Sequence, residues 1–235
     1  MTLAVNQWSL PRVDGRLRWP GRCLACHSAG PPGRDLCEAC GRALPRMPAA
    51  CQRCALPLAV PGTCGACLRR PPPLREVHAA FLYSAPLDRL LPRFKFHDDL
   101  AAGRLLSQLM VEAFADLPRP ETLVAVPLHV ARLRSRGYDQ ALELARPLSR
   151  ALRVPLLSGR LCRMRSTAPQ SERDAAARRR NLYRAFDVRG GAAMPAHVVL
   201  IDDVMTTGAT LHAAADALLH AGVRRVDAWV CARVP

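Results

Sequence analysis

Apolar residues fall into a few clear patterns along the chain. Val198-Val199-Leu200-Ile201 is an unbroken β-branched and aliphatic run, which suits a strand covered on both faces of a parallel sheet. Asp202 and Asp203 stop it. After Met205 comes Thr206-Thr207-Gly208-Ala209-Thr210, and then Leu211, Ala214, Ala215, Leu218 and Leu219 recur at helical spacing until Gly222 closes the helix. The same reading predicts strands over Val77 to Tyr83 and over Leu123-Val124-Ala125-Val126-Pro127. Leu100 to Phe114 reads as a helix, as does the series Ala141, Leu142, Leu144, Ala145, Leu148 and Leu152, which Pro147 should kink. Leu87 to Phe96, with Phe94-Lys95-Phe96, precedes them, and Leu128 to Arg136 reads as a basic loop. His78 and His97 sit in ordinary apolar surroundings and are expected to be structural.

The pattern changes before residue 68. Eight of the ten cysteines fall in four Cys-x2-Cys pairs, Cys23/Cys26, Cys37/Cys40, Cys51/Cys54 and Cys64/Cys67, a tandem repeat in a stretch with few large apolar residues. Two thiolates two residues apart grip one tetrahedral ion from a tight turn, and a second pair closes a four-sulfur shell. Two structural zinc sites are expected, with a disulfide framework and iron–sulfur ligation as rivals. Sequential pairing closes the shortest loops and is favoured on entropy, with an interleaved pairing open. Closed shells leave the metal no catalytic position, and His27 is a bystander. The stiff Leu68-Arg69-Arg70-Pro71-Pro72-Pro73 then marks the expected boundary: tail 1–22, double ribbon 23–67, linker 68–75, second domain 76–235.

Composition adds charge. The formal net charge is +15, carried by arginine, since Lys95 is the single lysine. From Arg132 to Arg184 there are 14 arginines against four acids, so this segment holds +10 of the total. Arginine's planar fork matches phosphate oxygens, which points to phosphate-rich partners. No stretch approaches the ~18 apolar residues of a membrane span, and Met1 to Gly21 lacks the apolar core of a signal peptide, so a cytoplasmic protein is expected. Arg163 to Arg180 is nearly free of apolar residues and is expected to be a mobile loop or frayed helix that closes over a charged ligand. Cys162 and Cys231 are expected to be buried thiols.

The chemistry concentrates after Ile201. At the carboxyl end of a parallel strand the first amides of the next helix point at whatever anion sits there, and Gly208 lets the backbone come close. Thr206, Thr207 and Thr210 add donors. Asp202 and Asp203, acceptors only, suit the hydroxyls of an attached sugar. A sugar phosphate fits both halves. Four apolar residues followed by Asp-Asp-Val-x-Thr-Thr-Gly-x-Thr resemble the phosphoribosyl pyrophosphate (PRPP) motif of type I phosphoribosyltransferases, which assigns Asp202, Asp203, Thr206, Thr207, Gly208, Ala209 and Thr210 to that ligand. Arg132, Arg134 and Arg136, following the second strand, are candidates for its pyrophosphate.

Taken with the cysteine pairs, the Pro-rich link, Phe94-Lys95-Phe96, Val126-Pro127-Leu128, Arg132-Leu133-Arg134-Ser135-Arg136-Gly137-Tyr138-Asp139-Gln140 and Thr167 to Gln170 with Asn181 eleven residues on, the motif resembles the ComF (competence protein F) family from about Cys23 to the C-terminus. Arg-Gly-Tyr-Asp-Gln stands where the family usually has Arg-Gly-Phe-Asn-Gln, and Ser171-Glu172-Arg173 replaces an apolar residue after Gln170. The resemblance implies an α/β fold, the type I phosphoribosyltransferase parallel sheet flanked by helices, with a small N-terminal zinc ribbon. It also implies a role in uptake of transforming DNA on the cytoplasmic side, with a helicase partner. Two functions are then expected to compete. One is a PRPP-binding accessory protein that handles incoming single-stranded DNA, its stacking aromatics being Tyr138, Tyr183 and Trp229. The other is a phosphoribosyltransferase acting on an amine or base, with Mg²⁺ carried by PRPP and no evident base for the acceptor.

Overall fold

The computed structural model describes residues 12–13, 16–17, 21–31, 35–164, 185–191 and 193–235. It divides into two compact units, Met1–Leu44 and Pro45–Pro235. The division falls ahead of the second cysteine group, because that group folds with the sheet that follows it.

In the first unit, β1 (Arg12–Val13) and β2 (Arg16–Leu17) pair antiparallel, and α1 (Glu38–Arg42) is a single short helix whose N-cap thiol, Cys37, accepts from the Cys40 amide at 3.4 Å.

The second unit is built on a parallel sheet of β3 (Val77–Leu82), β4 (Thr122–Ala125), β7 (His197–Met205) and β8 (Arg225–Arg233), in the order β3-β8-β7-β4. Its helices are α2 (Gly65–Arg69), α3 (Leu87–Phe96), α4 (Leu100–Phe114), α5 (Val130–Arg136), α6 (Gln140–Leu152) and α7 (Ala209–His220). A two-stranded ribbon, β5 (Leu161–Arg163) with β6 (Phe186–Val188), pairs antiparallel beside α7. The parallel sheet flanked by helices is the α/β architecture expected.

Residues on successive sheet positions alternate between two cores. Val198, Leu200, Val226, Ala228 and Val124 join one cluster with Leu211, Ala214, Ala215 and Leu218 of α7 and with Leu161 and Phe186 of the ribbon. Trp229 faces the other way, its ring 5.1 Å from that of Phe114 on α4. At 2% exposed, Trp229 is a core residue and, contrary to the expectation from sequence, offers no stacking surface for bases. Between α3 and α4 the backbones approach closely: a Cβ on Gly103 would stand 2.4 Å from the Phe94 ring.

At the amino ends of the strands, Asp227 gathers three elements: it accepts from the Glu76 amide (3.0 Å), from Arg225 Nε (2.9 Å) and bonds His197 Nε2 (2.7 Å). At the outer edge of β3 the chain from Pro45 to Gln52 supplies the partners: Leu82 donates to the Pro45 carbonyl and Val77 to the Gln52 carbonyl, both at 2.8 Å. Edge strands need such cover. His78 pairs with Glu76 at 3.3 Å.

Candidate functional site

Both cysteine groups form complete sets. Cys23, Cys26, Cys37 and Cys40 have all four sulfurs within 4.8 Å of one another, and so do Cys51, Cys54, Cys64 and Cys67. This is the sequential grouping. A tetrahedral ion about 2.3 Å from each sulfur sets neighbouring sulfurs roughly 3.8 Å apart. Cys26 and Cys37 are at 3.6 Å, and Cys54 and Cys64 at 3.8 Å. Backbone donors support the sulfurs, as with the Cys64 amide to Cys51 Sγ at 3.3 Å. Thiols this close hinder one another's ionisation: burial and then the neighbouring thiols push Cys40 up to about 12, whereas bonding to Ser28 holds Cys26 near 6. A divalent cation resolves that conflict, so the residues fit zinc. His27 is exposed and outside the set.

The acid pair sits where the sheet opens. Sequence reading ends the strand at Ile201, but β7 continues through Asp202 and Asp203 to Met205, because β8 is long enough to pair with it as far as Met205 opposite Arg233. On the other side, pairing with β4 does end, at Ala125 opposite Ile201. The acids therefore stand on a strand with one free edge. By strand alternation Asp202 shares the face of Leu200 and α7, and Asp203 that of Ile201 and α3.

Lys95 of α3 meets Asp203 there, its Nζ 2.8 Å from Oδ2 and 3.1 Å from Oδ1, the latter with the angles of a hydrogen bond. Oδ1 also accepts from the Val204 amide at 2.7 Å. Asp203 is 4% exposed. Burial opposes the Lys95 charge, but Asp203 and Asp202 outweigh it and raise the amine's proton affinity. For Asp202 burial comes first and the charge of Asp203 second; with Lys95 opposing both, its carboxyl is pushed up to about 8. Lys95 carries no assignment from sequence, although it is the single lysine and the penultimate residue of α3.

Past Met205, Thr206 and Thr207 are exposed, and Gly208 takes φ 76° as the N-cap of α7. The Thr207 hydroxyl accepts from the Ala209 amide at 3.4 Å. Helix geometry leaves the remaining amides of that first turn without intrahelical acceptors. A Cβ on Gly208 would meet Met205 Cε at 2.5 Å and His212 Nε2 at 3.1 Å, so protein atoms crowd this turn from below.

The expected basic loop is a helix. His129 caps α5 by accepting from the Ala131 amide at 3.2 Å, and Gly137 ends it at φ 80°. Local apolar content is too low to reveal a seven-residue helix by periodicity. Its turn separates the three arginines: Arg132 and Arg136 share a face, and Arg134 points away and is exposed. Arg136 lies over the Phe96 ring at 5.4 Å. The residues after it hold the helix in place. Tyr138 donates to the Phe94 carbonyl, and Asp139 accepts from the Leu128 amide (3.0 Å) and, as cap of α6, from the Leu142 amide (3.1 Å). Tyr138 is thus committed to a structural bond; Phe96, 63% exposed with Arg136 over one face of its ring, is an exposed aromatic among the described residues.

Arg163 belongs to β5 and so is not part of a loop. Burial, then the charge of Arg132, weakens its proton affinity, and Asp202 partly restores it, which brings Arg163, Arg132 and Asp202 into one electrostatic neighbourhood. Thr167, Gln170, Asn181, Tyr183 and Arg165 to Arg180 lie outside the described residues. Cys231 is a buried thiol as expected, whereas Cys162 is only half-buried.

A sheet end with two acids, a glycine-capped helix start and facing cations is the layout of a phosphoribosyltransferase-type domain. The family comparison agrees: residues 101–235 match the phosphoribosyl transferase domain, and residues 16–68 match the double zinc ribbon domain. The chain is 35% identical to the DNA utilization protein YhgH of Salmonella typhi, over 91% of this chain and 97% of that one. It is 33% identical to competence protein F of Haemophilus influenzae (90% and 96%) and 30% identical to competence protein ComFC of Bacillus subtilis (81% and 80%). The chain therefore belongs to the competence protein F family, phosphoribosyltransferase-like proteins with an N-terminal double zinc ribbon. No helix among the described residues is long and apolar enough to cross a membrane.

Proposed function

We propose that this protein binds PRPP, or a related ribose 5-phosphate, at the carboxyl end of its sheet and uses that site while handling single-stranded DNA in the cytoplasm, with a helicase among its partners. The observation that carries the ligand is the position of Asp202 and Asp203 on the free edge of β7, directly before the Gly208 turn. The 5′-phosphate takes the first-turn amides of α7 and the hydroxyls of Thr206, Thr207 and Thr210. Asp202 and Asp203 accept from the ribose hydroxyls, and Lys95 pairs with Asp203 beside them. Arg132 and Arg136, joined by Arg163, face the pyrophosphate, with Arg134 outside. Mg²⁺ accompanies PRPP, held by the ligand's own oxygens and water. The DNA role rests on the names of the relatives, DNA utilization and competence proteins, and on the arginine-rich charge of the chain. The division of labour between double ribbon, linker 68–75 and the domain from 76 onward is part of the same reading.

Calorimetry with PRPP and Mg²⁺ tests it. Changing both Asp202 and Asp203 to Asn removes charged hydrogen bonds of about 1.5–3 kcal/mol each, so affinity should fall at least tenfold. Undiminished binding places the ligand elsewhere. A second reading, transfer of the phosphoribosyl group to an amine or base, draws on Asp202, whose raised proton affinity lets it take up a proton near neutrality. Pyrophosphate release from PRPP with one acceptor from a metabolite pool, lost in Asp202→Asn, decides for it.

A further inference from the structure

Arg233 is a buried arginine at the last position of β8, 8% exposed. Among the described residues no acid pairs with it; its guanidinium donates to carbonyls. Nε donates to the Cys54 carbonyl at 2.9 Å, and Nη1 to the Met205 carbonyl at 3.3 Å and to that of Val234. One planar fork thus spans the second cysteine group and the end of β7. Both ends matter. Cys54 is one of the four thiols of its set, and Cys51 of the same set is 1% exposed beside core residue Ala55. Met205 is the residue before Thr206, and its side chain lies beneath Gly208. The Val234 amide also donates to the Met205 carbonyl, at 3.0 Å, so Met205 is held by backbone and side chain of the same strand end.

Charge gives this bridge a reason. Four thiolates around one divalent cation keep a net negative charge, which a buried guanidinium offsets. A guanidinium also needs acceptors for its five donors, and here carbonyls on the cysteine loop and at the end of β7 supply them. Arginine serves here because a fork can hold two carbonyls on different elements at once.

We propose that Arg233 is a positioning residue that couples the metal state of the Cys51/Cys54/Cys64/Cys67 site to the geometry of the Thr206–Thr210 loop. The ligand half of this proposal rests on the PRPP reading above; the loop half does not. Coupling of this kind is reciprocal: zinc in the second site favours PRPP binding, and PRPP favours retention of that zinc.

The test uses the full chain with both sites zinc-loaded, alongside Arg233→Met, Arg233→Lys and a control, Arg53→Gln, whose guanidinium donates at the same site to the Leu74 carbonyl (3.1 Å). Zinc loss to a chelator is followed by alkylation of individual thiols, which separates the two sites, and loop opening by hydrogen exchange over residues 204–210. In the unaltered chain and in Arg53→Gln, loss of zinc from the second site should speed loop exchange at least tenfold, and PRPP should slow that loss about fivefold. In Arg233→Met the loop should exchange fast even with zinc bound, and PRPP should no longer slow zinc loss. Arg233→Lys keeps the charge without the fork, so it should retain zinc yet exchange like Arg233→Met. Loop exchange indifferent to zinc, or fully slow in the Lys variant, overturns the proposal. A chain that fails to bind PRPP at all removes the PRPP reading, and the exchange measurements then decide Arg233 alone.

Discussion

The two cysteine groups have the same ligands and nearly the same spacing, yet they live in different surroundings. The first belongs to the small unit Met1–Leu44, where the helix bearing Cys40 buries no residue and Cys26 is exposed. The second is built into the larger unit: Ala55 joins the sheet's core cluster with Leu74 and Val77, Gln52 completes the edge of β3, and Arg53 and Arg233 tie its loops to neighbouring carbonyls. Identical coordination chemistry thus holds a local turn in one case and a sheet edge in the other. What differs is the apolar and hydrogen-bonding structure that depends on the metal.

The largest effect should come from removing one ligand in each. Cys64→Ser should cost the larger unit about 4 kcal/mol or more, since metal binding energy there is folding energy. That lowers its melting temperature by roughly 8 °C or more. Cys26→Ser should lose one zinc per chain and leave that melting transition in place. Metal analysis and calorimetry on the two variants check both halves; equal melting temperatures erase the contrast.

Packing should give the next largest effect. Leu74 is fully buried where the second group meets the sheet, and Leu74→Ala should destabilise the larger unit by about 2–5 kcal/mol while also hastening zinc loss from the second site. Thiol-resolved alkylation should show the first site losing zinc at its original rate.

A pH dependence should follow, again confined to the larger unit. The Asp202 carboxyl is raised in the folded chain, so its contribution to stability is present below the ordinary carboxylate range and fades as pH climbs towards about 8. Ligand hydroxyls prefer the ionised acceptor, so PRPP affinity should move the opposite way, rising up to about tenfold per pH unit below that value. Titrations from pH 6 to 9 check the sign, and a flat profile means that Asp202 does not touch the ligand.

The smallest effect should be on the surface of the first unit. Glu38 and Arg42 pair across one turn of a short helix with both side chains mostly exposed, and Glu38→Ala should cost less than about 0.5 kcal/mol and leave both zincs bound.

Much of this was legible in the amino-acid sequence. The cysteine spacing favoured the sequential four-sulfur sets on loop entropy while leaving an interleaved pairing open, and the folded chain shows the sequential grouping. The strand after His197, the helix after Gly208 and the helix over Leu100 to Phe114 follow from apolar period alone, although the strand runs past the acid pair to Met205. Tertiary structure decided the rest. Periodicity could not place Lys95 on Asp203, 108 residues away, nor bring Arg163 near Arg132 and Asp202, because pairing across separate elements leaves no local trace. It misjudged Leu128 to Arg136, where caps at His129 and Gly137 make a helix that has no apolar face. It read Trp229 as available for stacking, but its burial depends on which face of β8 meets α4. Above all, the sequence repeats its cysteine unit almost evenly, and only the packing of Ala55, Leu74 and Arg233 decides that the second copy, and not the first, belongs to the sheet. Metal coordination is local chemistry and is written locally; what a metal site supports depends on contacts that exist only once the chain has folded.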